Sequence, residues 1–371
     1  MTILFPNEPS YFVPEKLDDL LIFCYENGAS DISIQSGERV FAEVRGLQIK
    51  VTQRELTLQE VSDLINHIYG ANATALIFSG TDIDVSYRVK RSEEKQYRYR
   101  VNITACAFES YQGLQVTLRT ISSEPPLLSD MHLSSELESN LKIPQGIVVV
   151  SGATGSGKST LLASIIADFA KQKDSNLKIL TYESPIEYVY DSVEKPSTII
   201  SQTEIPRYLP SFAAGVRNAL RRKPGLILVG EARDKETIEA VIDAALTGHP
   251  VYTTVHSNGV ADTLRRMLTI FPHAERDARM FDLLETVKVI IWQTLVPTPD
   301  GQRTALREYL VITEEVRDIL IDGKTDAIVS RVRKILSSAG KPLIVDAKEK
   351  YEAGTIDKKV FDLIEKHRGG G

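Results

Sequence analysis

The chain has 371 residues, 42% of them hydrophobic, with 44 Lys and Arg against 50 Asp and Glu for a net charge of −6. That length exceeds the about 250–300 residues at which a single core stops growing, so two domains are expected. The acidic balance excludes a protein that coats nucleic acid by charge alone, and no run approaches the roughly 18 apolar residues of a membrane-spanning helix, so any membrane contact is expected to be peripheral.

The N-terminal MTILFPNEPSYF lacks the charged start and long apolar core of a secretory signal. Residues 15–27 then place Leu17, Leu20, Leu21 and Cys24 on one helical face, with Gly28 as a stop. The segments SDISIQ, RVFAEVRG, DIDVSYRV, QYRYRVNITA and GLQVTLRTI mostly alternate apolar and polar residues, the period of half-buried strands. LTLQEVSDLINHIYG, between the second and third, has helical spacing. Residues 1–121 are therefore expected to form an α+β domain on a mainly antiparallel sheet. Pro125 and Pro126 favour a stiff, extended connector over 122–130. Cys24 and Cys106 have neither C-x-x-C spacing nor a nearby pair of His ligands, and read as reduced packing residues of a cytoplasmic protein.

From residue 146 the pattern changes to nearly continuous apolar strands, GIVVVSG, LKILTYE, GLILVGE and PVYTTVHS, separated by helix-patterned segments such as KETIEAVIDAAL. Strands covered on both faces by crossover helices read this way, so 131–312 is expected to be α/β with a doubly wound, mostly parallel sheet. The region 313–371 reads as helical, and its terminal glycines as a tail.

GATGSGKST, residues 152–160, matches G-x-x-x-x-G-K-S/T between a strand and a helix, the order a phosphate-binding loop requires. Gly152, Gly155 and Gly157 let the backbone curl, so that the N–H groups of residues 152–160, through Ala153, Thr154 and Ser156, face phosphate oxygens beside a helix N-terminus. Lys158 reaches the β and γ phosphates, and Ser159 or Thr160 supplies a hydroxyl to Mg²⁺. ATP and Mg²⁺ are the ligands expected. Hydrolysis further needs carboxylates to hold magnesium and orient water. Glu183 and Glu231 stand at the carboxyl ends of two predicted strands, where doubly wound sheets bind ligands. Glu231 is expected at the metal and in catalysis, although the two roles are exchangeable. Glu187, past a proline, is a weaker candidate. His256, at the end of PVYTTV, is placed to contact the γ phosphate or the water-orienting acid, whereas His249 at the other end reads equally as packing.

Together these stretches resemble the secretion and pilus ATPase superfamily, which includes pilus-retraction, type II and type IV secretion ATPases. TYESPIEYV is similar to its acidic box, RNALRRKPGLILVGEARD to its atypical Walker B segment, and LTGHPVYTTVHS to its histidine box. ESPIE, SQTEIPRYLPSFAAGVRNALRRKP and IWQTLVP resemble the DotB and TraJ ATPases of type IVB secretion and conjugation systems. The sequence departs from the wider pattern at Ser184, where a second carboxylate is common, at Gly225 before the Walker B strand, and at Gly230 before Glu231. The resemblance implies a RecA-like ATPase domain behind a PAS-like N-terminal domain, a homo-hexamer, and inner-membrane secretion components as partners, with a second secretion ATPase among them. It also implies that Arg98, Arg100 and Arg119 reach the nucleotide cleft and couple rotation of the domains to ATP. Alternation alone makes them outward-facing strand residues, and Arg217 and Arg233 carry less weight.

A GTPase would need a guanine-reading N-K-x-D element, and a metabolic kinase an acceptor lid, and neither is apparent. The expected function is ATP hydrolysis powering secretion, conjugation or pilus dynamics from the cytoplasmic face of the inner membrane. The alternative, a DNA-processing RecA-like ATPase using RNALRRK and TLRRM, is weakened by the net charge and the lack of an aromatic-rich basic groove.

Overall fold

A computed structural model describes residues 3–92, 96–109, 111–121, 124–323 and 325–368. Residues 122 and 123 of the expected connector, and the terminal glycines 369–371, lie outside the described residues. By its internal contacts the chain divides into two units, Met1–Glu124 with Ser184–Val189, and Pro125–Glu183 with Tyr190–Gly371.

In the first unit, α1 (Pro14–Glu26) starts at a proline whose fixed φ suits the first helical turn. It buries Leu17, Leu20, Leu21 and Cys24, the face its spacing predicts. Strands β1 (Ala29–Gln35), β2 (Phe41–Val44) and β3 (Leu47–Lys50) follow. RVFAEVRG, expected as a strand, holds β2, but its last two residues turn: Arg45 (φ 54°) and Gly46 (φ 77°) both take left-handed backbone, and Val44 pairs with Leu47 of β3, which has no counterpart among the expected strands. Helix α2 (Leu58–Tyr69) is fixed at its start by a reciprocal capping box between Thr57 and Glu60. The short α3 (Ala73–Phe78) has no counterpart among the expected elements and packs through Ala73 and Ile77. Strands β4 (Ile83–Lys90), β5 (Gln96–Phe108) and β6 (Tyr111–Ile121) complete a sheet of order β3-β2-β1-β6-β5-β4, antiparallel throughout. The three helices and the inward strand residues share one apolar core.

The second unit begins with Pro125 and reaches α4 (Ser135–Ser139), whose Leu137 N–H donates to the capping Ser134 hydroxyl. Then come β7 (Gly146–Ser151), α5 (Lys158–Lys171), β8 (Lys178–Glu183), β9 (Ile199–Glu204), α6 (Phe212–Ala219), β10 (Leu226–Val229), α7 (Lys235–Leu246) and β11 (Pro250–Val255). Helices α8 (Val260–Thr269) and α9 (Arg276–Thr286) precede the hairpin of β12 (Val287–Pro297) and β13 (Arg303–Val311). The region after it is mainly helical, with α10 (Glu314–Ile321), α11 (Ile328–Ala339), α12 (Leu343–Glu352) and α13 (Lys358–Arg368), but it also returns the short strand β14 (Gly340–Lys341) to the edge of the sheet.

The sheet order is β14-β13-β12-β7-β11-β10-β8-β9, parallel from β12 to β9 and antiparallel at the other edge. Every residue of β7, β10 and β11 is buried. The helices bury two apolar clusters against the sheet, one holding Ile147 and Val149 of β7 and the other the alternating Val148 and Val150. Burial on both faces is why these strands read as unbroken apolar runs.

Candidate functional site

The residues expected to carry chemistry in the second unit lie at the carboxyl ends of adjacent parallel strands. The chain leaves β7 at Ser151 and enters α5 at Lys158, making a loop whose glycines take φ 148° (Gly152), 76° (Gly155) and 81° (Gly157). Side chains are strained in that region of backbone space, so the glycines hold this loop shape. Lys158 is buried and its Nζ donates to the carbonyls of Gly152 (3.0 Å) and Ala153 (2.9 Å), which leaves the ammonium folded back along the loop. The Ser156 hydroxyl is buried with no partner among the described residues. A glycine cradle, a buried cation and an unpaired hydroxyl fit the phosphates of a nucleotide. Ala153, Thr154, Gly155 and Ser159 are exposed, so the outer rim of the loop is open.

Glu183 ends β8, two strands away from β11 and next to β10. Its Oε1 accepts from the Thr181 hydroxyl (2.6 Å) and from Gln202 Nε2 (3.1 Å), which fix the carboxylate. Glu231 follows β10 in a turn stitched to both neighbours. Gly230 N–H donates to the Tyr182 carbonyl (2.7 Å), Ala232 N–H to the Thr254 carbonyl (2.9 Å), and the Thr254 hydroxyl to the Gly230 carbonyl (2.6 Å). These bonds explain the glycine before Glu231: a Cβ at position 230 would stand 3.1 Å from the Tyr182 carbonyl and 3.3 Å from Glu183 Cα. Gly225 is similarly confined, its Cβ falling 2.9 Å from Leu177 and 3.2 Å from the Lys178 nitrogen. His256, just past β11, brings Nε2 to 3.5 Å from Glu231 Oε1. A loop hydroxyl at Ser159 and the carboxylates of Glu183 and Glu231 are hard oxygen donors, the class Mg²⁺ prefers.

His249 serves another purpose: its Nδ1 lies 3.2 Å from the Ala244 carbonyl and 3.3 Å from the Thr247 hydroxyl, at the end of α7. Arg217 and Arg233 are exposed.

The three candidate arginines of the first unit differ from one another. Arg98, which strand alternation alone turns outward, is 2% exposed. Its Nη1 and Nη2 donate to the carbonyls of Glu187 (2.5 Å) and Ile186 (2.6 Å) in the Ser184–Val189 segment that belongs to this unit. Glu187 thus offers Arg98 its backbone oxygen. Arg100 and Arg119 face each other in the β5–β6 register. Like charges placed opposite repel, and each is flanked by a carboxylate, Arg100 by Asp84 (2.6 Å) and Arg119 by Asp31 (3.0 Å).

A cavity of about 570 Å³ opens beside the loop, lined by Gly157, Thr160, Gln293, Arg307, Met131 and Thr355. That is room for a nucleoside adjoining the phosphate cradle. Gln293 and Arg307 are the residues at this site that the sequence reading did not single out. The available signal was a glutamine and an arginine within the apolar runs VIIWQTLV and TALREYLV. Both prove buried, at 2% and 5% exposure, and burial holds the Arg307 guanidinium down at about 10 despite the nearby Asp346.

Residues 8–318 match the family described as type II/IV secretion system protein. The structure is similar to that of the Legionella pneumophila ATPase DotB, with 53% identity, a TM-score of 0.94, and coverage of 99% of this chain and 100% of that one. It is also similar to the pilus retraction motor PilT with bound ADP, at 28% identity and a TM-score of 0.78 over 93% of this chain and 95% of that one. In sequence it is 32% identical to the type IV pilus retraction ATPase PilT of Pseudomonas aeruginosa over 317 residues, 85% of this chain and 88% of that protein.

Proposed function

Because this chain belongs to the type II/IV secretion system protein family, we propose that it hydrolyses ATP to ADP and phosphate as a homo-hexameric motor of the DotB and TraJ kind, powering type IVB secretion or conjugation. The observation that carries this reading is that the glycine loop with Lys158, Glu183 and the Glu231–His256 pair all lie at the carboxyl ends of the neighbouring parallel strands β7, β8, β10 and β11. The 53% identity to DotB over nearly the whole chain supports the type IVB branch.

In the reaction, Lys158 exchanges the loop carbonyls for the β and γ phosphate oxygens, while the loop N–H groups neutralise the remaining charge. Magnesium, when bound, offsets charge on the triphosphate, and Ser159, with a carboxylate, would hold it. Glu183 is fixed by Thr181 and Gln202, which suits support of the metal. Glu231 orients the attacking water and takes its proton, and His256 beside it responds to the γ phosphate. Arg98, Arg100 and Arg119 convey the state of the nucleotide to the first unit, with Arg119 acting on the hydrolytic step. Among the described residues no helix is long and apolar enough to cross a membrane; peripheral recruitment to the cytoplasmic face of the inner membrane through secretion components is part of this proposal.

The test is phosphate release and binding of a fluorescent ATP analogue. Glu231→Gln is expected to keep its nucleotide affinity and lose at least about a hundredfold in turnover, the scale of general-base catalysis. Wild-type turnover in that variant would remove Glu231 from the reaction, and a monomer in the presence of a slowly hydrolysed ATP analogue would remove the hexamer.

A further inference from the structure

We infer that Gln293 and Arg307 are positioning residues of the phosphate-binding loop, Arg307 orienting the Gln293 amide and Gln293 holding the Ser156 carbonyl so that the following N–H faces the phosphates. This rests on the nucleotide-site reading above. The two residues are opposed across the β12–β13 hairpin. Gln293 Nε2 donates to the Ser156 carbonyl at 2.6 Å, and Arg307 Nε donates to Gln293 Oε1 at 2.8 Å.

A glutamine amide has two chemically distinct ends of nearly equal shape, and only one way round serves here. A guanidinium carries donors only, so Arg307 requires the oxygen end and leaves the NH₂ end for Ser156. Ser156 is flanked by Gly155 and Gly157, both in left-handed backbone, where no Cβ helps to fix the peptide. The peptide unit is planar and trans, so its carbonyl and the next N–H point in opposite directions. Gripping the Ser156 carbonyl therefore aims the Gly157 N–H the other way, into the cradle.

The brace is itself anchored outside the loop. Arg307 Nη1 donates to the Met131 carbonyl at 2.7 Å, and the Arg307 backbone N–H donates to Asp346 Oδ2 of α12 at 2.9 Å. Asp346 also receives Lys350 at 2.7 Å and lies 3.3 Å from Lys341. The loop is thereby tied through the Gln293 side chain and Arg307, whose backbone N–H meets Asp346, to α12.

The experiment is a titration of the full chain with a fluorescent ATP analogue, alongside thermal unfolding without nucleotide. Gln293→Glu keeps the acceptor for Arg307 but has no donor for Ser156, and is expected to weaken binding about tenfold, the effect of one buried hydrogen bond. Gln293→Met, of similar volume, should do the same and serves if the glutamate variant does not fold. Because Arg307 acts on the loop through Gln293, Arg307→Met should cost less affinity in the Gln293→Met background than in the wild type, whereas independent roles would add. Wild-type affinity in the Gln293 variants, or an additive loss in the double variant, overturns the inference. Lys158→Ala separates it from its premise: if that variant loses ATP while the Gln293 variants bind normally, the nucleotide site stands and the brace falls. A wild-type protein that binds no ATP overturns both.

Discussion

Two glycines of the loop share nearly the same backbone angle, Gly155 at φ 76° and Gly157 at φ 81°, but not the same surroundings. A Cβ added to Gly155 meets nothing within 4 Å, whereas one on Gly157 falls 2.9 Å from Gln293 Nε2. Gly155→Ala should therefore bear only the left-handed backbone penalty of about 1–2 kcal/mol. Gly157→Ala bears the same penalty and also displaces the Gln293 amide from Ser156, a further loss of about 1–2 kcal/mol. A loaded loop must keep its shape while an empty one is free to relax, so both costs are expected in nucleotide affinity. The losses are then about tenfold for Gly155→Ala and about a hundredfold or more for Gly157→Ala. Titration with a fluorescent ATP analogue measures both, and thermal unfolding without nucleotide checks that each variant is folded. Equal losses in the two variants would refute the idea that Gln293 occupies the space beside Gly157.

The remaining predictions concern the first unit. Arg98→Ala removes two charge-assisted bonds to the Ile186 and Glu187 carbonyls, so it should lower stability by about 2–3 kcal/mol in chemical denaturation. Unchanged stability would show that the Arg98 contacts contribute nothing to folding. Burial pushes the Glu60 carboxyl up, but the Arg54 guanidinium and the Phe12 and Thr57 N–H groups more than reverse this, to about 2 from 4.5. A carboxylate depressed in the folded state stabilises it above the unfolded pKa and loses that contribution as pH falls through the folded one. The first unit should therefore lose up to about 3 kcal/mol between pH 4.5 and about 2. In Glu60→Gln that segment of the stability profile should flatten, and an unchanged slope would rule out Glu60 as its source.

What could be read in advance followed from how local each signal is. The loop was legible because its glycines and Lys158 sit together in sequence between a strand and a helix, and because β7, β10 and β11 are buried on both faces. Glu183 and Glu231 could be placed because each closes an apolar run in a parallel sheet. The Arg45–Gly46 hairpin escaped notice because an arginine, rather than a second glycine or an asparagine, supplies one of its positive φ angles. Gln293 and Arg307 escaped because their meaning lies in a cross-strand register, and an isolated polar residue in an apolar run does not announce its partner. Alternation alone turned Arg98 outward for a related reason: the segment that covers it comes from far along the chain.

The assignment of Ser184–Val189 to the first unit means that the backbone passes between the units three times, after Glu124, after Glu183 and after Val189. A gene cut at the proline connector would therefore not yield a self-sufficient N-terminal fragment. It would omit SPIEYV, and with it the Ile186 and Glu187 carbonyls to which the buried Arg98 donates. Excision followed by complementation with that peptide in trans is the dissection this topology calls for.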